Sequence, residues 1–158
     1  EGEPIAGVIL VPESGRLYHA VRGKGAWVTT GEDVTHRIGV NRSNGKLRAV
    51  VSRSHSGEQT EQMLRQLNVE EVKKRGSSLK ICAVAEGEAD VYVRPAPTYL
   101  WDTAAGTAIL RAAGGFTAGL PRNAYDPKRS MKLQKYAACA TEDLAHKVDG
   151  MLKDSKTS

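Results

Sequence analysis

Hydrophobic and polar positions change rhythm once along this chain. Pro4–Pro12 gathers Ile5, Val8, Ile9, Leu10 and Val11 into one apolar run that stops at the turn residues Pro12-Glu13-Ser14-Gly15. Arg16–Val21 alternates polar with apolar residues, Gly23 and Gly25 bracket a bend before Ala26-Trp27-Val28, and Val34–Val40 alternates again. A period of two predicts antiparallel strands joined by short turns. Asn41–Lys46 (NRSNGK) is a turn cluster and marks a boundary. Residues 1–45 are therefore expected to form antiparallel strands, and residues 46–158 an α/β domain.

Past that boundary strands and helices alternate. Leu47–Ser52 reads as a short buried strand. Gly57–Asn68 reads as a helix with Met63, Leu64 and Leu67 on one face, Glu61 placed to pair with Arg65, and Ser56 placed to cap it. Glu71–Arg75 is strand-like, Ser77–Gly87 helical and Asp90–Arg94 a strand. Asp102–Ala113 is helical and closed by Gly114-Gly115. Phe116–Ala118 and Lys135–Ala140 read as strands, and Thr141 caps a last helix with Glu142 and Asp143 in its first turn. This order implies an α/β fold: a mixed sheet with helices on both faces, preceded by antiparallel strands.

Composition narrows the class. An apolar content of 40% and a charged content of 26% suit a globular domain. The apolar runs, such as Val8–Val11, fall far short of the roughly 20 residues of a membrane span. Cys82 and Cys139 have no C-x-x-C spacing and apolar neighbours, which predicts two buried free thiols and a cytoplasmic protein. The net charge of +5 is scattered, with Lys73-Lys74-Arg75 the one basic triplet. It lacks the dense stripe with interleaved aromatics of a nucleic-acid binder. It suits an anionic small substrate or a solvated surface equally.

Candidate chemistry falls at four places. Gly76-Ser77-Ser78-Leu79-Lys80 joins a strand to a helix, where small residues let backbone approach an anion and Lys80 can reach it; a Ser N-cap beside a surface Lys is the plain alternative. Ser52-Arg53-Ser54-His55 lies at another strand end, where open α/β sheets bind ligands. There His55 could meet a phosphate, or merely help cap the next helix. Arg94 ends a third strand and could equally be an ordinary exposed Arg. Asp102 follows Trp101 at a helix start; it is either an N-cap or a carboxylate aimed at a ligand. Trp101 would then be a wedge setting the entry to the helix, with Ala105 and Gly106 permitting close packing.

Together these stretches carry a resemblance. WDTAAGTAILRAAGG (Trp101–Gly115) resembles the C-terminal signature WD-x-A-A-G-x-x-I-x-x-x-A-G-G of the inositol monophosphatase-like superfamily, which are Mg²⁺-dependent, lithium-sensitive phosphatases. GSSLKICAVAEGEADVYVR (Gly76–Arg94), preceded by SRSH, is similar to the 3'(2'),5'-bisphosphate nucleotidase branch. The resemblance runs from EGEPIAGVILVP to the double glycine and is weakest after Pro121. It implies a metal-binding role for Asp102 and substrate contacts for His55, Gly76, Ser77, Ser78, Lys80 and Arg94. The implied partner is a phosphorylated nucleotide, the implied cofactor Mg²⁺, and the implied reaction removal of a 3'-phosphate. The alternatives are an inositol or sugar phosphate phosphatase, or a non-catalytic remnant that binds nucleotide or protein.

The same resemblance shows a departure. The family's earlier Glu ligand, in a GEE-type motif, and its DPxDGT motif do not occur; the one Asp-Pro, Asp126-Pro127, continues as KRS. The chain looks like the C-terminal half of such a phosphatase, with an incomplete Mg²⁺ site and little activity alone. Glu58, Glu86 and Asp90 are the acidic candidates to compensate, but the first two fall on helices with a solvated-face explanation, and none has motif support. An open sheet edge in residues 1–45 is expected to pair with an N-terminal half or a second copy.

Overall fold

A computed structural model of the chain describes residues 2–54 and 56–155. The alternating N-terminal region forms one antiparallel sheet, β1 (Ala6–Val11), β2 (Arg16–Val21), β3 (Gly25–Thr29) and β4 (Thr35–Ile38), in that order. Its pairing follows the apolar alternation: Tyr18 opposes Val28 and Ala20 opposes Ala26, and all four are buried. Val8 and Leu10 point to the other face and are exposed. Among the described residues β1 pairs with β2 alone.

The second sheet is mixed. Its strands are β5 (Arg48–Ser52), β6 (Glu71–Arg75), β7 (Val91–Arg94), β9 (Phe116–Ala118) and β11 (Tyr136–Cys139), and they lie in the order β6-β5-β7-β11-β9. β5 runs parallel to β6 and β7, whereas β11 is antiparallel to both its neighbours. The four helices are α1 (Glu58–Gln66), α2 (Leu79–Ala85), α3 (Leu100–Ala112) and α4 (Glu142–Asp154). Strand alternation divides the core in two. Val50, Tyr92, Tyr136 and Ala138 pack with α2, α3 and the inner face of the first sheet. Ala49, Val51, Val91, Val93, Ala137 and Cys139 pack with Met63, Leu64 and Leu67 of the α1 segment and Ala145, Val148 and Leu152 of α4. Helices thus cover both faces of the mixed sheet, as the alternation predicts.

The small residues of α3 have a packing reason. A Cβ on Gly7 of β1 would collide with the Ala105 carbonyl oxygen, so the strand lies directly on the helix backbone. A Cβ on Gly106 would sit 2.8 Å from Ile81 Cδ1, which fixes the close approach of α2 and α3. A chain of hydroxyls adds specificity: Tyr125 Oη donates to Thr103 Oγ1 at 2.9 Å, and Thr107 Oγ1 lies 2.8 Å from Tyr125 Oη and 2.9 Å from the buried Tyr136 Oη.

Several element ends differ from the sequence reading. α3 begins at Leu100, so Asp102 stands inside the first turn rather than at the N-cap. Trp101 is no wedge: it is 63% exposed and stacks on Tyr99 with ring centroids 4.6 Å apart. α1 is capped by Gly57 with no side-chain bond, because Ser56 Oγ turns to Glu61 Oε1 at 3.3 Å instead. α2 is a single short helix from Leu79, because Ser77 takes a left-handed φ of 49°. The paired strands β8 (Thr98–Tyr99) and β10 (Lys132–Leu133) have no counterpart in the sequence reading, since two residues carry no periodicity. The Thr141 cap is present, its hydroxyl accepting the Leu144 N–H at 3.3 Å. Cys82 and Cys139 are free and buried, and burial pushes both thiols up to about 12. No described helix is long and apolar enough to cross a membrane.

Candidate functional site

Parallel pairing brings the carboxyl ends of β5, β6 and β7 to one side of the mixed sheet. The chain leaves β5 into Ser52-Arg53-Ser54 and leaves β6 into Gly76-Ser77-Ser78, while Arg94 ends β7. The first turn of α3 and Thr98 of β8 close the far side. The result is a cleft of about 330 Å³ whose walls include Gly76, Ser77, Ser78, Lys80, Arg94 and Asp102 together. Residues spread from Ser52 to Thr103 are thus gathered into one concave site at strand ends. His55, the remaining sequence candidate, lies outside the described residues.

The cleft is cationic. Lys80 is 5% exposed, and its Nζ stands 5.3 Å from the ring centroid of Tyr92. Burial, and then the charge of Arg94, lower the ammonium's pKa. No described carboxylate stands within ion-pair distance of it. A buried cation without a counter-ion costs free energy that an anionic ligand returns. Arg94 is held in place by its own loop: Nε and Nη2 donate to the Pro97 carbonyl oxygen at 3.3 and 3.0 Å. Gly76 has open space where a Cβ would stand, leaving backbone accessible beside Lys80.

Asp102 is the carboxylate in the cleft wall. Its Oδ2 accepts the Tyr99 N–H and the Thr98 hydroxyl, each at 3.1 Å. The structural and functional readings of this residue are therefore compatible, since the fold uses one oxygen. The other acidic candidates are elsewhere. Asp90 is buried against Arg48, with Nη2 at 3.1 Å from Oδ1. Glu86, expected on a solvated face, is instead half-buried and accepts Arg16 at 2.6 Å and the Tyr18 hydroxyl at 2.8 Å. Glu58 is exposed on α1.

These residues do not by themselves fit Mg²⁺. The ion demands near-octahedral oxygen ligation and gives up water reluctantly. Among the described residues no group of three or more His, Cys, Asp or Glu converges. The charged residues of the cleft lining are Asp102, Arg53, Lys80 and Arg94. One carboxylate among three cations does not enclose a divalent cation.

Sequence reasoning missed Tyr92, Thr98 and Thr103 in the cleft walls. Tyr92 sits in the middle of a strand that reads as core, and Thr98 owes its place to β8. Arg53 belongs to the SRSH stretch, whose position at a strand end is the signal that marks it.

Fold and site thus define a layered α/β protein with a cleft at the ends of parallel strands lined by Arg53, Lys80, Arg94 and Asp102. The profile of the inositol monophosphatase family matches residues 1–152, and the chain belongs to that family. The chain is 43% identical over 113 residues to the 3'(2'),5'-bisphosphate nucleotidase CysQ of Escherichia coli K12, a match that covers 72% of this chain and 45% of that protein. The chain thus spans less than half the length of that curated relative. Among solved structures, CysQ from Bacteroides thetaiotaomicron, described as a bacterial member of the inositol monophosphatase family, superposes with a TM-score of 0.76 at 38% identity, covering 88% of this chain and 59% of that one. The SuhB protein of Bartonella henselae shares the fold, with a TM-score of 0.71 at 24% identity over 98% of this chain and 59% of its own.

Proposed function

We propose that the chain is the substrate-binding part of a phosphatase of the 3'(2'),5'-bisphosphate nucleotidase type. The observation that carries the reading is Lys80, a buried ammonium that opens on the cleft and has no described carboxylate within ion-pair distance. A phosphate ester supplies the missing charge. In this reading Lys80 and Arg94 bind the phosphorylated nucleotide, and Gly76, Ser77 and Ser78 let it approach the backbone. His55 is assigned a further substrate contact by motif. Asp102 contributes one carboxylate toward Mg²⁺, with further ligands coming from outside the described cleft. The identity to CysQ relatives and the GSSLK stretch support the nucleotidase branch over inositol phosphates.

The test is a binding comparison at fixed salt, because screening weakens exposed charge contacts. Lys80→Ala is expected to weaken adenosine 3',5'-bisphosphate more than inositol phosphate. Equal losses for the two ligands would remove the case for the nucleotidase branch. No loss for either would remove the phosphate reading of the cleft.

A further inference from the structure

The polar anchorage of α2 is all at one end. Ser78, Lys80 and Ile81, at its start, line the cleft. There the N-cap Ser78 makes no side-chain bond, and Ser77 before it turns the chain with a left-handed φ of 49°. The body of the helix buries Ile81, Cys82, Ala83, Val84 and Ala85, and apolar burial has no direction of its own. Polar ties gather where the helix stops. Among the described residues, Glu86 alone carries side-chain hydrogen bonds from the Ser78–Glu86 segment to the rest of the fold. One residue further on, Arg48 Nη2 donates to the Gly87 carbonyl oxygen at 2.8 Å.

The partners of Glu86 come from the other sheet. Arg16 and Tyr18 are two residues apart on β2, so their side chains leave on one face, the inner one that buries Tyr18. Tyr18 Oη donates to Glu86 Oε1 at 2.8 Å, and Arg16 Nη2 donates to Oε2 at 2.6 Å. Arg16 Nε donates to Tyr18 Oη at 3.2 Å and closes the ring. Both carboxylate oxygens are held, in a side chain only 12% exposed, by bonds that are directional and charge-assisted. The seven residues of α2 rise only about 10 Å, so a shift or rotation at Glu86 reaches Lys80 with little loss. The cleft walls begin at Ser52, and the first sheet therefore acts on them from behind.

We propose that Glu86, clamped by Arg16 and Tyr18, is a positioning residue for Lys80: it fixes the axial place and rotation of α2, and with them where the ammonium stands in the cleft. The effect on ligand affinity rests on the cleft's reading as a phosphate site; the effect on Lys80 itself does not. Releasing the clamp lets α2 slide on its apolar contacts and brings the ammonium toward water. Burial is the main cause of the lowered pKa of Lys80, so that group reports its own displacement.

The experiment uses the 158-residue chain and two readouts. One is the dissociation constant for adenosine 3',5'-bisphosphate at one salt concentration. The other is the Lys80 titration, followed by the NMR shift of its Cε. Glu86→Gln keeps an acceptor for Tyr18 and deletes the charge on Arg16. It is expected to weaken the ligand about fivefold, and less than about twofold in a Lys80→Ala background, because the loss runs through Lys80. The Lys80 titration should rise toward its ordinary value of 10.5. Arg16→Gln should act in the same way, and Arg16→Lys, which returns a cation to Glu86, should restore part of both readouts. The Arg16 side chain is 36% exposed, so the Arg16 variants carry the test if Glu86→Gln fails to fold. An unmoved Lys80 titration overturns the clamp, and so do equal affinity losses with and without Lys80. If Lys80→Ala leaves binding unchanged while Glu86→Gln moves the Lys80 titration, the phosphate reading fails and the clamp stands.

Discussion

Thr98 donates its hydroxyl to Oδ2 of Asp102 at 3.1 Å, across the junction between β8 and the first turn of α3. The Tyr99 N–H reaches the same oxygen at 3.1 Å, while Oδ1 accepts nothing from the described residues. One carboxylate oxygen thus secures the helix start and orients the other. Thr98 is 5% exposed, so replacing its hydroxyl by a methyl in Thr98→Val keeps the volume and deletes one charge-assisted bond. The expected cost is about 1–2 kcal/mol, read by denaturant unfolding. Asp102→Asn retains an oxygen for the Tyr99 N–H and should cost less than Asp102→Ala, which loses the cap. Equal costs for those two would show that the cap contributes nothing.

The close approach around α3 gives a second prediction. Gly7→Ala drives a methyl into the Ala105 carbonyl, and backbone cannot step aside cheaply. Gly106→Ala meets Ile81, whose Cδ1 is 2.8 Å and whose Cβ is 3.1 Å from the new atom. Overpacking of this kind costs about 1–3 kcal/mol. Gly7→Ala should be the worse of the two by thermal unfolding. Ile81 also lines the cleft, so Gly106→Ala is expected to weaken phosphate-ester binding in addition. Binding unchanged in a destabilised Gly106→Ala protein would show that the cleft does not feel the α2–α3 packing.

Much of this architecture is legible in the sequence, for a physical reason. Strand periodicity is set by burial, and β1 to β5 and β7 lie where alternation or short apolar runs put them because each turns side chains toward the core, whereas β6 buries no residue and is placed by its pairing with β5. The candidate phosphate residues share a cleft because parallel strands deliver their following loops to one edge. What the sequence hides depends on contacts distant in the chain. The Thr98–Asp102 bond needs β8, which exists only through its pairing with Lys132 and Leu133. Glu86 reads as solvated because its partners, Arg16 and Tyr18, belong to another sheet. Ser56 reads as a cap because helical spacing gives Glu61 to Arg65 and shows nothing of its competing claim on the serine hydroxyl.

Asp90 governs a pH dependence. Burial alone would raise its carboxyl, but hydrogen bonds from Arg48 and Asn41, the Arg48 backbone N–H and the Arg48 charge outweigh it and hold it below the usual value of 3.8. A carboxyl depressed in the folded state stabilises above its unfolded pKa and loses that contribution as pH falls through the folded one. Glu86 is shifted upward, chiefly by burial, so it acts in the opposite sense at higher pH. Stability should therefore drop below about pH 4. Asp90→Asn should cost about 3 kcal/mol at neutral pH, because it leaves Arg48 half-buried and uncompensated, and should flatten the acid limb. An acid limb of the same slope in Asp90→Asn would assign that loss to other carboxylates.

Activity supplies the sharpest prediction, and it follows from where the carboxylates are. Hydrolysis assisted by divalent ions needs several oxygen ligands around each ion. Asp102 shares the cleft lining with Arg53, Lys80 and Arg94, Asp90 and Glu86 are committed to arginines, and Glu58 stands outside the lining. The 158-residue chain is therefore expected to hydrolyse phosphate esters at trace rates at most, while still binding them. Adding in trans a polypeptide that carries the family's GEE and DPxDGT motifs should restore Mg²⁺-dependent turnover. Asp102→Asn should abolish the restored turnover and leave the fold, followed by circular dichroism and melting, intact. Phosphate release assayed with and without that polypeptide decides the matter. Robust turnover by the chain alone, lost on Asp102→Asn, would mean that the remaining ligands come from within it or from a second copy, and the split-site account would fall.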